Sequence, residues 1–177
     1  MNIRYATSSA RSLAVTLVAT CALAAPSWAQ SDRKVPIDTT ALSLAEALTA
    51  ASAAVRQCES DGNRVAAIVL NTEGNMQAFL RGDGATSYAI DSARMKAYTL
   101  GNLGPIRDQN SSSELSSNIL SSSNANPQLS NIPGMLLVGG AKIIVKNGKR
   151  AGVIGVAGSP GGDLDEACAQ AGVDALS

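Results

Sequence analysis

No histidine occurs anywhere in the 177 residues. The proton relay of a Ser-His-Asp or Cys-His centre is therefore unavailable within one chain, and so is His-ligated zinc or haem. Other patterns able to do chemistry are few. Ser31-Asp32-Arg33-Lys34 has the spacing of a serine nucleophile with a lysine base, but it lies in a polar, aperiodic stretch without a rigid shell around it. Gly155-Val-Ala-Gly158-Ser-Pro-Gly161-Gly162 invites a phosphate-loop reading, yet the Gly-Lys-Ser/Thr ending is missing. Asp163, Asp165 and Glu166 also load that helix start with negative charge, which repels an anion; they read as a capped helix start. Arg81-Gly82-Asp83 reads as a turn.

One arrangement remains. Between residues 87 and 100, Tyr88, Ser92, Met95 and Thr99 recur at spacings of four, three and four. They lie about half a turn from Ile90, Ala93, Ala97 and Leu100, which form the core stripe of the same predicted helix. A helix face turned away from the core normally carries charges. This one carries Tyr, Met and Thr, with Arg94 and Lys96 at its flanks, so another subunit or a ligand is expected to cover it.

The scaffold under this face follows from composition and pattern. The chain is 45% hydrophobic and 16% charged, with 16 Gly, one Trp, one Phe and three Tyr. That suits one compact domain with a small-residue core. Its 14 basic and 14 acidic residues leave no excess charge for nucleic acid, and aromatic platforms for single strands are missing. Residues 1–29 carry Arg4 and Arg11, an apolar run from Leu13 to Ala25, and Pro26-Ser27-Trp28-Ala29, the pattern of a secretory signal peptide cleaved after Ala29. The apolar run is too short for a membrane span. Val18-Ala19-Thr20-Cys21 fits a lipoprotein site poorly, because Thr precedes the cysteine. The mature chain is expected to be periplasmic or secreted, with 148 residues, 12 basic and 14 acidic groups, and net charge −2.

After a polar lead (30–41), one domain is expected over 42–177. Ser43-Leu44-Ala45-Glu46 is a capping box opening a helix with apolar positions Leu44, Leu48, Ala51, Val55 and Cys58. Val65–Leu70 and Met76–Leu80 read as a strand pair around Asn71-Thr-Glu-Gly74. Residues 108–131 hold nine Ser and five Asn in 24 positions; they read as a Ser/Asn-rich surface loop, the alternative being a short amphipathic helix anchored by Leu115 and Ile119. Met135–Val138 reads as a short strand. The apolar runs flanking Asn147-Gly148 form a hairpin, because both turn positions require positive φ. A last helix carries Leu164, Cys168, Ala171 and Ala175 on one face. The result is an α+β fold, a five-stranded antiparallel sheet covered by helices. Cys58 and Cys168 both lie on expected core faces, so in an exported chain they read as a disulfide rather than two free thiols.

Three segments resemble the GlcG/HbpS-like proteins: Arg94-Met-Lys-Ala-Tyr-Thr99, with its Lys-Ala-x-Thr signature; Ile132-Pro-Gly-Met-Leu-Leu-Val-Gly-Gly140; and Gly148 to Ala167, the final hairpin, glycine loop and acidic helix start. The likeness spans about Leu42 to Leu176. It implies a profilin-like fold, homo-oligomeric assembly and, in exported members, haem binding or haem degradation. In haem-binding members a threonine near the middle helix has been linked to the iron, and the matching position is Thr99. Tyr88, Met95 and Tyr98 are the other groups able to reach an iron or pack on a porphyrin, and Arg94 and Lys96 are candidates for the propionates. The chain departs from a usual haem site in having no histidine and one phenylalanine. Two other classes stay open: a binding or assembly module for another small ligand or a protein, and an enzyme with its own acid-base centre. The last has least behind it, because no carboxylate pair or nucleophile-base set is visible.

Overall fold

A computed structural model describes residues 41–123 and 125–177. The expected signal peptide, with its alternative cysteine site, and the polar lead up to residue 40 lie outside the described residues. The elements run α1 (Leu44–Ser60), β1 (Ala66–Asn71), β2 (Met76–Arg81), α2 (Ser87–Arg107), α3 (Ser112–Ser121), a 3-10 turn (Pro127–Asn131), β3 (Ala141–Lys146), β4 (Lys149–Ala157) and α4 (Gly162–Asp174). All strand pairs are antiparallel, in the order β2-β1-β4-β3. Alternation along the strands divides the core in two. Val65, Ala67, Val69, Ile154 and Val156 pack with α1 and α4, while Ala66, Ile68, Leu70, Ile143 and Val153 pack with α2 and α3. Among the described residues no helix is long and apolar enough to cross a membrane.

The sheet has four strands, not the expected five. Met135–Val138 stays irregular because the outer edge of β3 is already taken. Asn110 O accepts from Ile143 N at 3.0 Å, and Ser111 bridges Lys142. The Ser/Asn-rich segment is likewise not a loop throughout. Ser111 caps α3 by accepting from Glu114 N, and Leu115 and Ile119 are fully buried, so two apolar anchors outweigh a composition that favours irregular chain.

Two helices present different faces from those expected. On α1, Leu44 and Leu48 are 58% and 41% exposed, and the buried face is Ala47, Ala50, Ala51, Ala54, Val55 and Cys58. Small residues win because α1 lies close against α4, where a Cβ at Gly172 would come within 2.7 Å of Ala50 O. On α4, Leu164 is exposed and the buried stripe is Asp165, Cys168, Ala169 and Gly172. The two stripes meet at the Cys58–Cys168 disulfide, with Cα atoms 5.5 Å apart.

α2 continues past Leu100 to Arg107 through an internal proline, Pro105. Proline removes the donor that would bond Gly101 O four residues earlier. Arg150 supplies the replacement, donating from Nη1 to Gly101 O at 2.8 Å. The helix lies directly on β4 at Gly155, where an added Cβ would run into Ala93 O and lie 2.9 Å from Ala97 Cβ. Gly155→Ala is therefore expected to cost about 1–3 kcal/mol by forcing α2 off the sheet. Urea denaturation measures it; an unchanged midpoint would show that the contact relaxes freely.

Candidate functional site

The six candidate residues on α2 separate into an inward and an outward group. Thr99 is 1% exposed, and its hydroxyl is engaged on both sides. Oγ1 donates to Met95 O at 2.8 Å and accepts from Leu136 N at 2.7 Å. Lys96 is also buried, which corrects its expected place at the flank of the exposed face. A lysine survives there only with partners. Its Nζ donates to Asp165 Oδ2 at 2.6 Å and to Val156 O at 3.2 Å, while Asp165 Oδ1 accepts from Ser159 N at 2.9 Å. Lys96 is fully committed to this ion pair and holds no charge in reserve for a ligand.

Tyr88 is 61% exposed, Arg94 is exposed, and Met95 and Ser92 are half-buried. Tyr98 is half-buried and lines a cavity of about 50 Å³ with Asn102, Gly101, Thr72 and Arg150. The segment preceding β3 runs alongside: a Cβ at Gly134 would lie 4.0 Å from the Tyr98 ring. Ile132 and Val138 in this segment are 45% and 41% exposed. A larger open cleft of about 740 Å³, lined by Leu42, Leu44, Glu46, Gln77 and Lys146, contains none of the six.

The start of α4 organises these pieces, and it does so with residues first read as a helix cap. The N-cap is Gly161, which makes no side-chain cap. Asp165 turns inward to Lys96. Glu166 accepts from Ser111 Oγ, Ser112 Oγ (3.1 Å), Ser113 N and Oγ (both 2.9 Å) and Gly140 N (3.3 Å). One carboxylate thus holds the N-terminus of α3 and the entry to β3 together. A signal for Asp165 existed in the sequence, since positions 165, 168, 169 and 172 form one helical stripe with Cys168 in it. For Glu166 and Leu136 no local pattern pointed to their partners.

Burial pushes the Glu166 pKa up, but the hydrogen bonds from Ser111, Ser113 and Gly140 outweigh it, so the carboxyl titrates below its ordinary value of 4.5. At Glu46, hydrogen bonds from Lys146 and from Ser43 in the capping box lower the pKa to about 2. Both folded-state values lie below the unfolded one. Their stabilisation is therefore complete above about 4.5 and is lost as pH falls through the folded values. For Glu46 the window runs from 4.5 down to about 2. Thermal melts between pH 6 and 2 should steepen in that range, and Glu46→Gln with Glu166→Gln should flatten the slope.

Among the described residues no group of three or more His, Cys, Asp or Glu is placed to hold a metal ion. The 50 Å³ cavity beside α2 is far too small to enclose a porphyrin. Thr99 and Lys96, as they stand, are spent on internal bonds. The candidates left facing outward on α2 are Tyr88, Arg94 and the half-buried Met95.

Residues 42–174 match the model of the family described as "Haem degrading protein HbpS-like". This chain belongs to the HbpS-like family. The crystal structure of HbpS matches with 37% identity over 80% of this chain and 94% of that one, at a TM-score of 0.69. A double mutant of Streptomyces reticuli HbpS matches at 38% identity over 87% and 98%, also at 0.69. The fold is shared more widely: a PduOC–haem complex superposes at a TM-score of 0.66 with 20% identity, over 77% of this chain and 96% of that one. No curated protein sequence matches. For this HbpS-like chain the Lys-Ala-x-Thr segment is now placed: Lys96 and Thr99 point into the molecule, where each holds another element in position.

Proposed function

We propose that this is an exported HbpS-like protein that binds or handles haem on the outer face of α2. The observation that carries the reading is the exposed, weakly charged stripe itself. Tyr88 stands 61% exposed with half-buried Ser92 and Met95 one and two turns along, where a helix facing water would carry charged residues. Arg94 beside them makes no ion pair among the described residues. Tyrosine and methionine offer apolar contact to a porphyrin and are both known types of iron ligand. An arginine at the edge suits a propionate, because its planar fork donates two parallel hydrogen bonds to a carboxylate. Haem, when bound, would supply the redox-active iron; the chain supplies the apolar face, a neighbouring cation and the rigid helix under them. The family's description supports haem as the ligand class.

Haemin titration followed by absorbance tests this. A saturable, shifted Soret band is expected, with affinity falling about tenfold in Tyr88→Ala or Met95→Ala, the equivalent of about 1.4 kcal/mol each. A featureless titration would contradict the reading.

A second reading makes the same stripe an interface of a homo-oligomer. It is favoured by Ile106, two turns beyond Thr99 on α2, which is 79% exposed. Loss of an oligomer on Met95→Asp, without any haem binding, would establish that reading instead.

A further inference from the structure

Between the 3-10 turn and β3, residues 133–138 have no regular structure, although they are neither long nor very polar. Both flanks are fixed. On one side Leu129 of the 3-10 turn packs on the α2-side core. On the other, Gly140 O accepts from Val156 N at 2.7 Å, and Gly140 N donates to Glu166. Gly140 is wedged so tightly that a Cβ there would come within 2.7 Å of Lys96 Nζ. The buried Lys96–Asp165 pair and Glu166 therefore act as a post for this end of the segment.

The middle is held very differently. Met135 N bonds back to Ile132 O, a turn within the segment, and Gly134 takes a φ of 86°. To the body of the domain, residues 133–138 make one hydrogen bond among the described residues, from Leu136 N to Thr99 Oγ1 at 2.7 Å. One side chain, Leu137, is buried at 8% exposure, and Val138 is 41% exposed. A strap with firm ends, one central hydrogen bond and one buried side chain has the make-up of a segment that opens without global unfolding.

We infer that residues 133–138 form a movable cover on α2, latched by the Thr99 hydroxyl. Opening frees the Leu136 amide, releases one side of Thr99 Oγ1, uncovers the Tyr98 ring and vacates the space of Leu137. Any effect of haem on the cover rests on the proposed function, whereas the latch does not. The role of Thr99 is to hold the cover shut, and a ligand reaches it only by displacing Leu136.

Hydrogen exchange read by NMR on the ligand-free protein tests the latch. In the wild type the Leu136 amide should exchange faster than Ile154 in the central strand β4, through local opening. Thr99→Val, which keeps the shape and removes the hydroxyl, should speed Leu136 exchange at least tenfold and leave Ile154 unchanged. Thr99→Ser should keep the wild-type rate. Equal Leu136 rates in wild type and Thr99→Val would overturn the latch, as would Leu136 exchanging in step with Ile154 in every variant. Haemin added to the wild type should accelerate exchange at Leu136. A Soret shift with Leu136 at its ligand-free rate would overturn the cover as part of the site. No Soret shift would remove the haem function, and the Thr99→Val comparison alone would then decide the latch.

Discussion

Asp165→Ala is expected to destabilise the domain by roughly 3–5 kcal/mol, because it leaves the buried Lys96 with a single carbonyl partner. Lys96 and Asp165 side chains are 4% and 3% exposed and 2.6 Å apart, so the pair is shielded from solvent. Lys96 Nζ would keep only Val156 O, and Ser159 N would lose its acceptor. For a domain of this size the fall in Tm is on the order of 10–20 °C. Lys96→Met with Asp165→Leu removes both charges together and should recover much of the loss, since an apolar pair of similar volume is often nearly neutral. The double-mutant cycle separates the cost of an orphaned charge from the worth of the pair. A shift below about 1 kcal/mol in Asp165→Ala would contradict the account of this pair as a closed, dry bond.

The second large effect belongs to the disulfide. Cys58 and Cys168 are separated by 110 residues and tie the first helix to the last across the described domain. In the chain-entropy model a loop of that length contributes about 5 kcal/mol by restricting the unfolded chain. Both sulfur-bearing residues are buried to within 1%. Reductant should therefore have little effect on the folded protein until partial unfolding exposes the bond. Cys58→Ala with Cys168→Ala should lower the urea midpoint by the equivalent of several kcal/mol, and the wild type in reductant should approach it slowly. Coincident midpoints with and without reductant would show that the bridge does not form or does not matter.

Much of the fold was legible in the sequence because its strongest signals are local. The capping box at Ser43-Leu-Ala-Glu46 and the Asn147-Gly148 hairpin both specify geometry within a few residues, and both form as expected, with Asn147 and Gly148 at φ of 53° and 72°. What escaped was decided by partners far away in the chain. Met135–Val138 has strand composition, but Asn110 and Ser111 occupy the edge it needed. Leu44 and Leu48 have the right spacing for a core stripe, yet the close approach of α4 favours the alanine face. At the site, the unusual face of α2 was visible from its residue types alone. The direction of Lys96 was not, because it depends on an aspartate 69 positions later. Thr99 was singled out by the family signature, but its engagement with Leu136 depends on a segment 37 residues away.

If haem is handled at α2 and the cover beside it, the protein's own amide signals report its position. Haemin carries a paramagnetic iron, so nearby amide signals broaden when it binds. In an NMR titration of the protein, broadening is expected first at residues 88–99 and 133–138. Broadening confined to the cleft around Leu42, Gln77 and Lys146, or none at any residue, would contradict the assignment.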